Sequence, residues 1–236
     1  MEGLQKFLEG MGFSAGIQNS AFDNMDRRVA AELAASRVFR PLRPFERHDP
    51  TVSEIEHELD RAPAGPGNIV YYDGFEAQRI IAGLVPDDRC LHIVFTDRLM
   101  CTYDPGDYRY HGRALIGANP SVISTTGMVE APAKPRSYYT ELISGMDIGM
   151  NMEVVNRRYS GQYLAYHDRR TSLVAQGYVL QAIFYYMTGE AFCDTKECRL
   201  HNAHWQSDLL YSQIERGLLC PRHQGMLDSR RLDARG

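Results

Sequence analysis

Four residues near the C-terminal end carry the clearest chemistry in this chain. Cys193 and Cys198 form a C-x4-C pair, and after 21 intervening residues Cys220 and His223 form a C-x2-H pair. Zinc takes four tetrahedral soft or borderline donors, and a closed Cys₃His shell leaves no position for water, so this pattern suits a structural rather than a catalytic ion. Pro221 between the second pair favours the tight turn that lets both ligands face one ion. The expected cofactor is one structural zinc ion on Cys193, Cys198, Cys220 and His223. The competing reading is a set of buried free thiols beside a surface histidine. His201 and His204 lie in the same loop; either could replace His223, or build a second site with a carboxylate such as Asp208, although capping or packing beside Trp205 competes with ligation. Cys90 and Cys101 flank β-prone runs and are expected to be inert core thiols.

The rest of the composition narrows the setting. Five cysteines would leave one unpaired in a disulfide framework. The first residues, MEGLQKFLEGMGF, lack the basic and apolar regions of a secretion signal. The expected compartment is therefore the cytoplasm, where thiols stay reduced. The longest apolar run, residues 179–187, is far shorter than a membrane span of about 20 residues. With 26 basic and 30 acidic side chains the net charge is −4, which supplies no general attraction to phosphate backbones or anionic lipid. No membrane and no nucleic acid is expected as a partner. A hydrophobic content of 44% can fill a substantial core.

The elements that must position the four ligands can be read from periodicity and punctuation. Leu4, Phe7, Leu8 and Met11 recur at helical spacing, and Met25, Val29 and Leu33 predict a second helix behind an Asp23 cap. Thr51 and Glu54 form a capping box for a third, with Val52, Ile55 and Leu59 inward, before PAGPG at 63–67 breaks the chain. A strand at 69–72, a helix opened by Asp73 and Glu76 that buries Ile80, Ile81 and Leu84, and a strand at 91–95 predict a βαβ unit. Runs at 99–103, 114–116 and 122–123 supply the remaining strands of one mixed sheet. From 171 to 189 apolar residues surround the helical wheel, which predicts a central buried helix. Beyond the first ligand pair a helix is expected between an Asn202 cap and Gly217, followed by a solvated tail, DSRRLDARG.

Residues 182–223 resemble the C-terminal half of the archaemetzincins, zinc metallopeptidases with the signature HExxHxxGxxHC, then x4-C, a Met two residues on, and a later CxxC. Cys193, Cys198 and Cys220-Pro-Arg-His223 match the trailing part, with His in place of the last Cys and Leu200 in place of the Met. Phe95-Thr-Asp97, Leu115-Ile-Gly117 and Val122-Ile-Ser-Thr125 are similar to sheet segments of that family, so the likeness spans residues 68–226. An archaeal branch of metallopeptidase-type proteins also carries the His-Asn-Ala-His-Trp-Gln segment found at 201–206. The resemblance implies an α/β (α+β) fold in one metzincin-like domain over 1–236: a helical cover (1–66), a mixed twisted sheet (67–130), a helical region with the central helix (137–192), the zinc-stapled segment (193–226) and a tail (227–236).

Counting back from Cys193, the positions for His, Glu, His, Gly and His hold Ala182, Ile183, Tyr186, Gly189 and Phe192. Only the glycine survives, where a chain leaving the helix needs φ > 0. No other HExxH occurs among the eight histidines. The resemblance thus implies a pseudo-enzyme with no catalytic residues, acting as a protein-binding or scaffold factor, with a partner protein along the sheet edge near 115–118 and 125–129. Tyr186 and Phe192 would either line a binding cleft or fill the space left by the absent ion. Two further readings stand beside it. One is a metal-dependent hydrolase with a relocated site drawn from His167, Asp168, Glu190, His201 and His204; the other is an RNA-associated zinc module using Arg199, Arg216 and Arg222, which lacks interleaved aromatics.

Overall fold

A computed structural model describes residues 1–23, 25–60, 65, 67–86, 89–147 and 151–233; most of the PAGPG breaker lies outside them. The first helices are α1 (Glu2–Gly10), α2 (Arg27–Ala35) and α3 (Val52–Asp60). α2 begins three residues later than the sequence suggested, because the Asp26 carboxylate, not Asp23, accepts the Val29 N–H at 2.8 Å. The capping box of α3 forms in both directions: Thr51 N–H donates to Glu54 at 2.7 Å, and Glu54 N–H to the Thr51 hydroxyl at 3.3 Å. Its inward face, however, runs through Ile55, Glu58 and Leu59, leaving Val52 in the first turn 65% exposed while Glu58 is buried.

The architecture is α+β. β1 (Tyr71–Asp73) ends on Asp73, whose carboxylate accepts the Phe75 and Glu76 N–H groups and so starts α4 (Gly74–Ala82). β2 (Ile93–Thr96), β3 (Leu99–Asp104), β4 (Arg109–Arg113), β5 (Leu115–Ile116) and β6 (Ser121–Ser124) follow. They form two three-stranded sheets, ordered β1-β3-β4 and β2-β6-β5, where one mixed sheet was expected. The expected βαβ unit is also re-paired. β1 runs parallel to β3, Tyr71 opposite Leu99, while β2 runs parallel to β6, Ile93 opposite Ser121. The cause is a corner of two residues between β2 and β3, where the Thr96 hydroxyl accepts the Arg98 N–H at 3.2 Å. At the other side the chain passes from β4 to β5 through Ala114, whose carbonyl accepts the Ser124 N–H, so 109–116 serves both sheets.

Two compact units result, Met1–Ala131 with Tyr178–Ala191, and Pro132–Gly177 with Phe192–Gly236. In the first, Met25 ahead of α2 and Val29 and Leu33 within it join Ile80 and Ile81 of α4, Met100 of β3 and Val122 of β6 in one core. The stretch 125–129, expected at a sheet edge, instead belongs to α5 (Thr125–Glu130), capped by Ser124 and buried from Thr126 to Val129. β5 is the outer strand of its sheet, and a Cβ added at Gly117 just beyond it would stand 2.9 Å from the Tyr185 ring.

The second unit holds α6 (Arg136–Asp147) and α7 (Met152–Arg158), joined by a cluster of Tyr138, Val155, Tyr159 and Tyr163. The Tyr138 ring meets Tyr159 and Tyr163 edge-on at 5.6 and 5.5 Å, the geometry that aligns the positive edge of one ring with the face of the next. α8 (Thr171–Thr188) runs through both units' sequence ranges and is buried from Gly177 to Phe184, as its all-round apolar pattern required. α9 (Gln206–Leu210) continues as a π-helical turn, Tyr211–Arg216, and stops at Gly217 with φ +59. Trp205, not Asn202, sits at its start. α10 (Pro221–Asp233) occupies most of the stretch expected to be a loose tail. Among the described residues no helix is long and apolar enough to cross a membrane.

Candidate metal centre

The loop that carries the four donors is fixed at both ends by backbone geometry. α8 ends at Thr188, the Gly189 N–H closes on the Tyr185 carbonyl at 2.8 Å, and Gly189 takes φ +79, a conformation that costs a residue with a Cβ. The chain then folds back on itself: Cys193 N–H donates to the Leu200 carbonyl at 2.9 Å, and Cys198 N–H to the Thr195 carbonyl at 3.0 Å. Arg199 N–H reaches the Leu218 carbonyl at 2.8 Å and so draws the second pair beside the first. Pro221 opens α10, where its missing N–H is no loss, and places His223 in the first helical turn.

These constraints converge on a tight cluster. One donor atom from each of Cys193, Cys198, Cys220 and His223 lies within 4.8 Å of all the others. Cys193 Sγ and Cys220 Sγ are 4.0 Å apart, and His223 Nδ1 is 3.6 Å from Cys198 Sγ and 3.1 Å from Cys220 Sγ. Tetrahedral zinc with Zn–S of about 2.3 Å and Zn–N of about 2.0 Å has ligand-to-ligand edges of about 3.6 to 3.8 Å, so this donor set fits with only small adjustments. A sulfur separation near 4 Å is far from a disulfide, and all five cysteines are free thiols.

The surroundings pull the sulfurs in opposite directions. Thr195 N–H donates to Cys193 Sγ and Cys220 N–H to Cys198 Sγ, each at 3.4 Å, and such N–H···S contacts support negative charge on sulfur. Burial pushes the Cys198 thiol up to about 12. Burial acts the same way on Cys220, but the His223 backbone N–H and the neighbouring thiols outweigh it and hold that thiol below its ordinary range. A metal that takes these sulfurs as thiolates would displace their protons.

The remaining candidates fall elsewhere. His201 Nδ1 faces the Cys193 carbonyl at 3.3 Å and His204 is exposed; neither is among the clustered donors, whose fourth member is His223. Asp208 pairs with Lys196 at 2.6 Å. Asp168 is bonded to Arg170, which holds its carboxyl below the usual carboxylate range, and no potential metal-holding group among the described residues includes His167, Asp168 or Glu190. Cys101 is buried, but Cys90 is exposed rather than a core thiol. One set escaped the sequence reading: Asp104, Asp107 and His111 meet across the β3–β4 hairpin. The D-x2-D-x3-H spacing around a Pro-Gly turn was the available signal. Each of these groups already has a partner: His111 bonds Asp107 at 2.9 Å, and Asp104 accepts the Gly106 N–H.

The upstream positions of interest are split by exposure. Ala182 is fully buried and Ile183 nearly so, while Tyr186 and Phe192 are 51% and 47% exposed. Neither ring therefore fills an internal space. Leu200 is fully buried beside the cluster's first loop. A family model described as "Probable metallopeptidase family (DUF6775)" matches residues 1–230. Comparison with curated proteins and with solved structures gave no match.

Proposed function

The chain belongs to this probable metallopeptidase family, and from that premise we propose that it is an archaemetzincin-like member that has lost peptidase chemistry, keeps one structural zinc ion, and binds another protein. The observation that carries this reading is the register set by Cys193. Because its sulfur lies in the Cys₃His cluster, counting back places Ala182, Ile183, Tyr186 and Phe192 where a metzincin holds three imidazoles and its general base. Alanine, isoleucine and phenylalanine carry no atom that ligates zinc, and Ile183 cannot take a proton from a bound water. The bound zinc would supply cross-linking of the 193–223 loop.

Incubating the purified chain with a peptide mixture, with chelator and after zinc addition, is expected to show no zinc-restorable cleavage. Cleavage that chelation abolishes and zinc restores would reject the loss of catalysis and favour a relocated hydrolytic site.

The partner surface supported best is the outer edge of β5 with the exposed Tyr185 and Tyr186 of α8, since an unpaired strand edge accepts a partner's strand and aromatic side chains are enriched at protein contacts. Gly117 is unsuitable for testing it, because any side chain there displaces the Tyr185 ring. Ala118→Lys adds charge without that clash. It is expected to weaken binding of a protein that co-purifies with the chain by about tenfold while zinc content stays unchanged; undiminished binding places the interface elsewhere.

A further inference from the structure

In the first unit a cavity of about 230 Å³ opens beside Glu58, Tyr72, Thr96 and Arg98, with Phe22 and Val70 among its apolar walls. Arg98 is unusual within it. Its side chain is 12% exposed, its Nε donates to Glu58 Oε2 at 2.8 Å, and its guanidinium lies 4.9 Å from the Phe22 ring centroid. Its two terminal amino groups donate to no acceptor among the described residues. Arginine presents five N–H donors in a rigid fork, so most of this fork is unused although the side chain is nearly buried.

Thr96 repeats the pattern. The residue is 6% exposed, its hydroxyl oxygen accepts the Arg98 N–H, and the hydroxyl's own hydrogen meets no acceptor among the described residues. The ion pairing leaves Arg98 the less well matched of the two arginines: Glu58 serves both, but Arg37 also has the Glu54 carboxylate at 3.9 Å, whereas Arg98 has Glu58 alone among the described residues. Asp97 also borders the cavity and would repel a doubly charged phosphate more than a singly charged acid.

We propose that this cavity binds a small molecule or chain end through one carboxylate, held by the terminal amino groups of Arg98 and the hydroxyl of Thr96, with an apolar portion against Phe22 and Val70. A planar carboxylate matches the guanidinium fork with two parallel hydrogen bonds. The carboxylate can come from a free organic acid or from the C-terminus of a peptide. The residues of this cavity belong to the first unit and the Cys/His donor cluster to the second.

The test is binding of millimolar hippurate and of a free-acid tripeptide ending in phenylalanine, each compared with its own C-terminal amide, followed by ligand-observed nuclear magnetic resonance on the full chain. Wild type should bind at least one acid about tenfold more tightly than the matching amide, and Arg98→Lys, which keeps the charge but not the fork, should lose that preference. Thr96→Val should reduce it severalfold and serves as the deciding variant where Arg98→Lys does not fold. Preference for hippurate alone assigns a free acid, and preference for the tripeptide alone a chain end. No acid preferred over its amide, or a preference retained in Thr96→Val and in folded Arg98→Lys, overturns the proposal.

Discussion

Cys198→Ala is expected to release the zinc ion and unfold the chain around it. Structural zinc contributes about 10 to 16 kcal/mol in small zinc-finger peptides, and even a third of that is comparable with the whole stability of an ordinary domain, about 5 to 15 kcal/mol. The segment from Cys193 to Cys220 is also held by buried Leu200 and Leu209 and by single bonds such as Gln213 Nε2 to the Arg199 carbonyl and Arg199 N–H to the Leu218 carbonyl, each of which contributes about 1 kcal/mol, far less than the ion. Removing one sulfur takes away a metal ligand and also leaves the Cys220 N–H without its acceptor. Elemental analysis should fall from close to one zinc per chain to near zero, and amide exchange protection should be lost across residues 193–230. Cys90→Ala removes an exposed thiol outside the cluster and should change neither quantity. Retained zinc in Cys198→Ala assigns the metal to other ligands.

Glu58→Gln is expected to cost about 3 to 5 kcal/mol, measured by denaturant unfolding at neutral pH. The Glu58 side chain is 1% exposed and accepts from Arg37 Nε at 3.0 Å, Arg98 Nε at 2.8 Å and the Tyr72 hydroxyl at 2.7 Å. A neutral amide keeps the shape but leaves the nearly buried Arg98 without its anion and Arg37 with only the more distant Glu54. The same network sets a pH dependence. Burial alone would raise the Glu58 carboxyl, but Arg98, the Tyr72 hydroxyl and Arg37 outweigh it and hold it below the usual carboxylate range. With the folded value below the unfolded one of about 4.3, the carboxylate's contribution is complete above that pH and is lost as pH falls through the folded value. Wild type should therefore lose its advantage over Glu58→Gln on acidification below about pH 4. An equal advantage at neutral and strongly acidic pH would show that Glu58 does not carry this charge-dependent stability.

The two cases show where the sequence was legible. The donor cluster was readable because its two pairs are local: C-x4-C and C-x2-H fix spacing within a turn, and only the meeting of the pairs is long-range. Glu58 was not, since its arginine partners lie 21 and 40 residues away and hydrophobic periodicity assigned the inner face of α3 to Val52, Ile55 and Leu59, of which only Val52 is displaced. The strands from 69 to 124 were found, but pairing is a non-local choice. The short corner after Thr96 sent β2 and β3 into different sheets, which no alternation pattern reveals. Caps slipped for a similar reason. Asp23 and Asp26 are equally good N-cap types, and packing of Met25 and Val29 decides between them. At the other end, the charge-rich composition of 228–233 concealed a helix that begins at Pro221 and includes His223 of the donor cluster.

The most direct test of the central claim is the zinc stoichiometry of the intact chain by native mass spectrometry, prepared without chelator. One zinc ion per chain, lost in Cys198→Ala and in Cys220→Ala, is the predicted result. A second zinc ion that persists in both variants and supports peptide cleavage would contradict it.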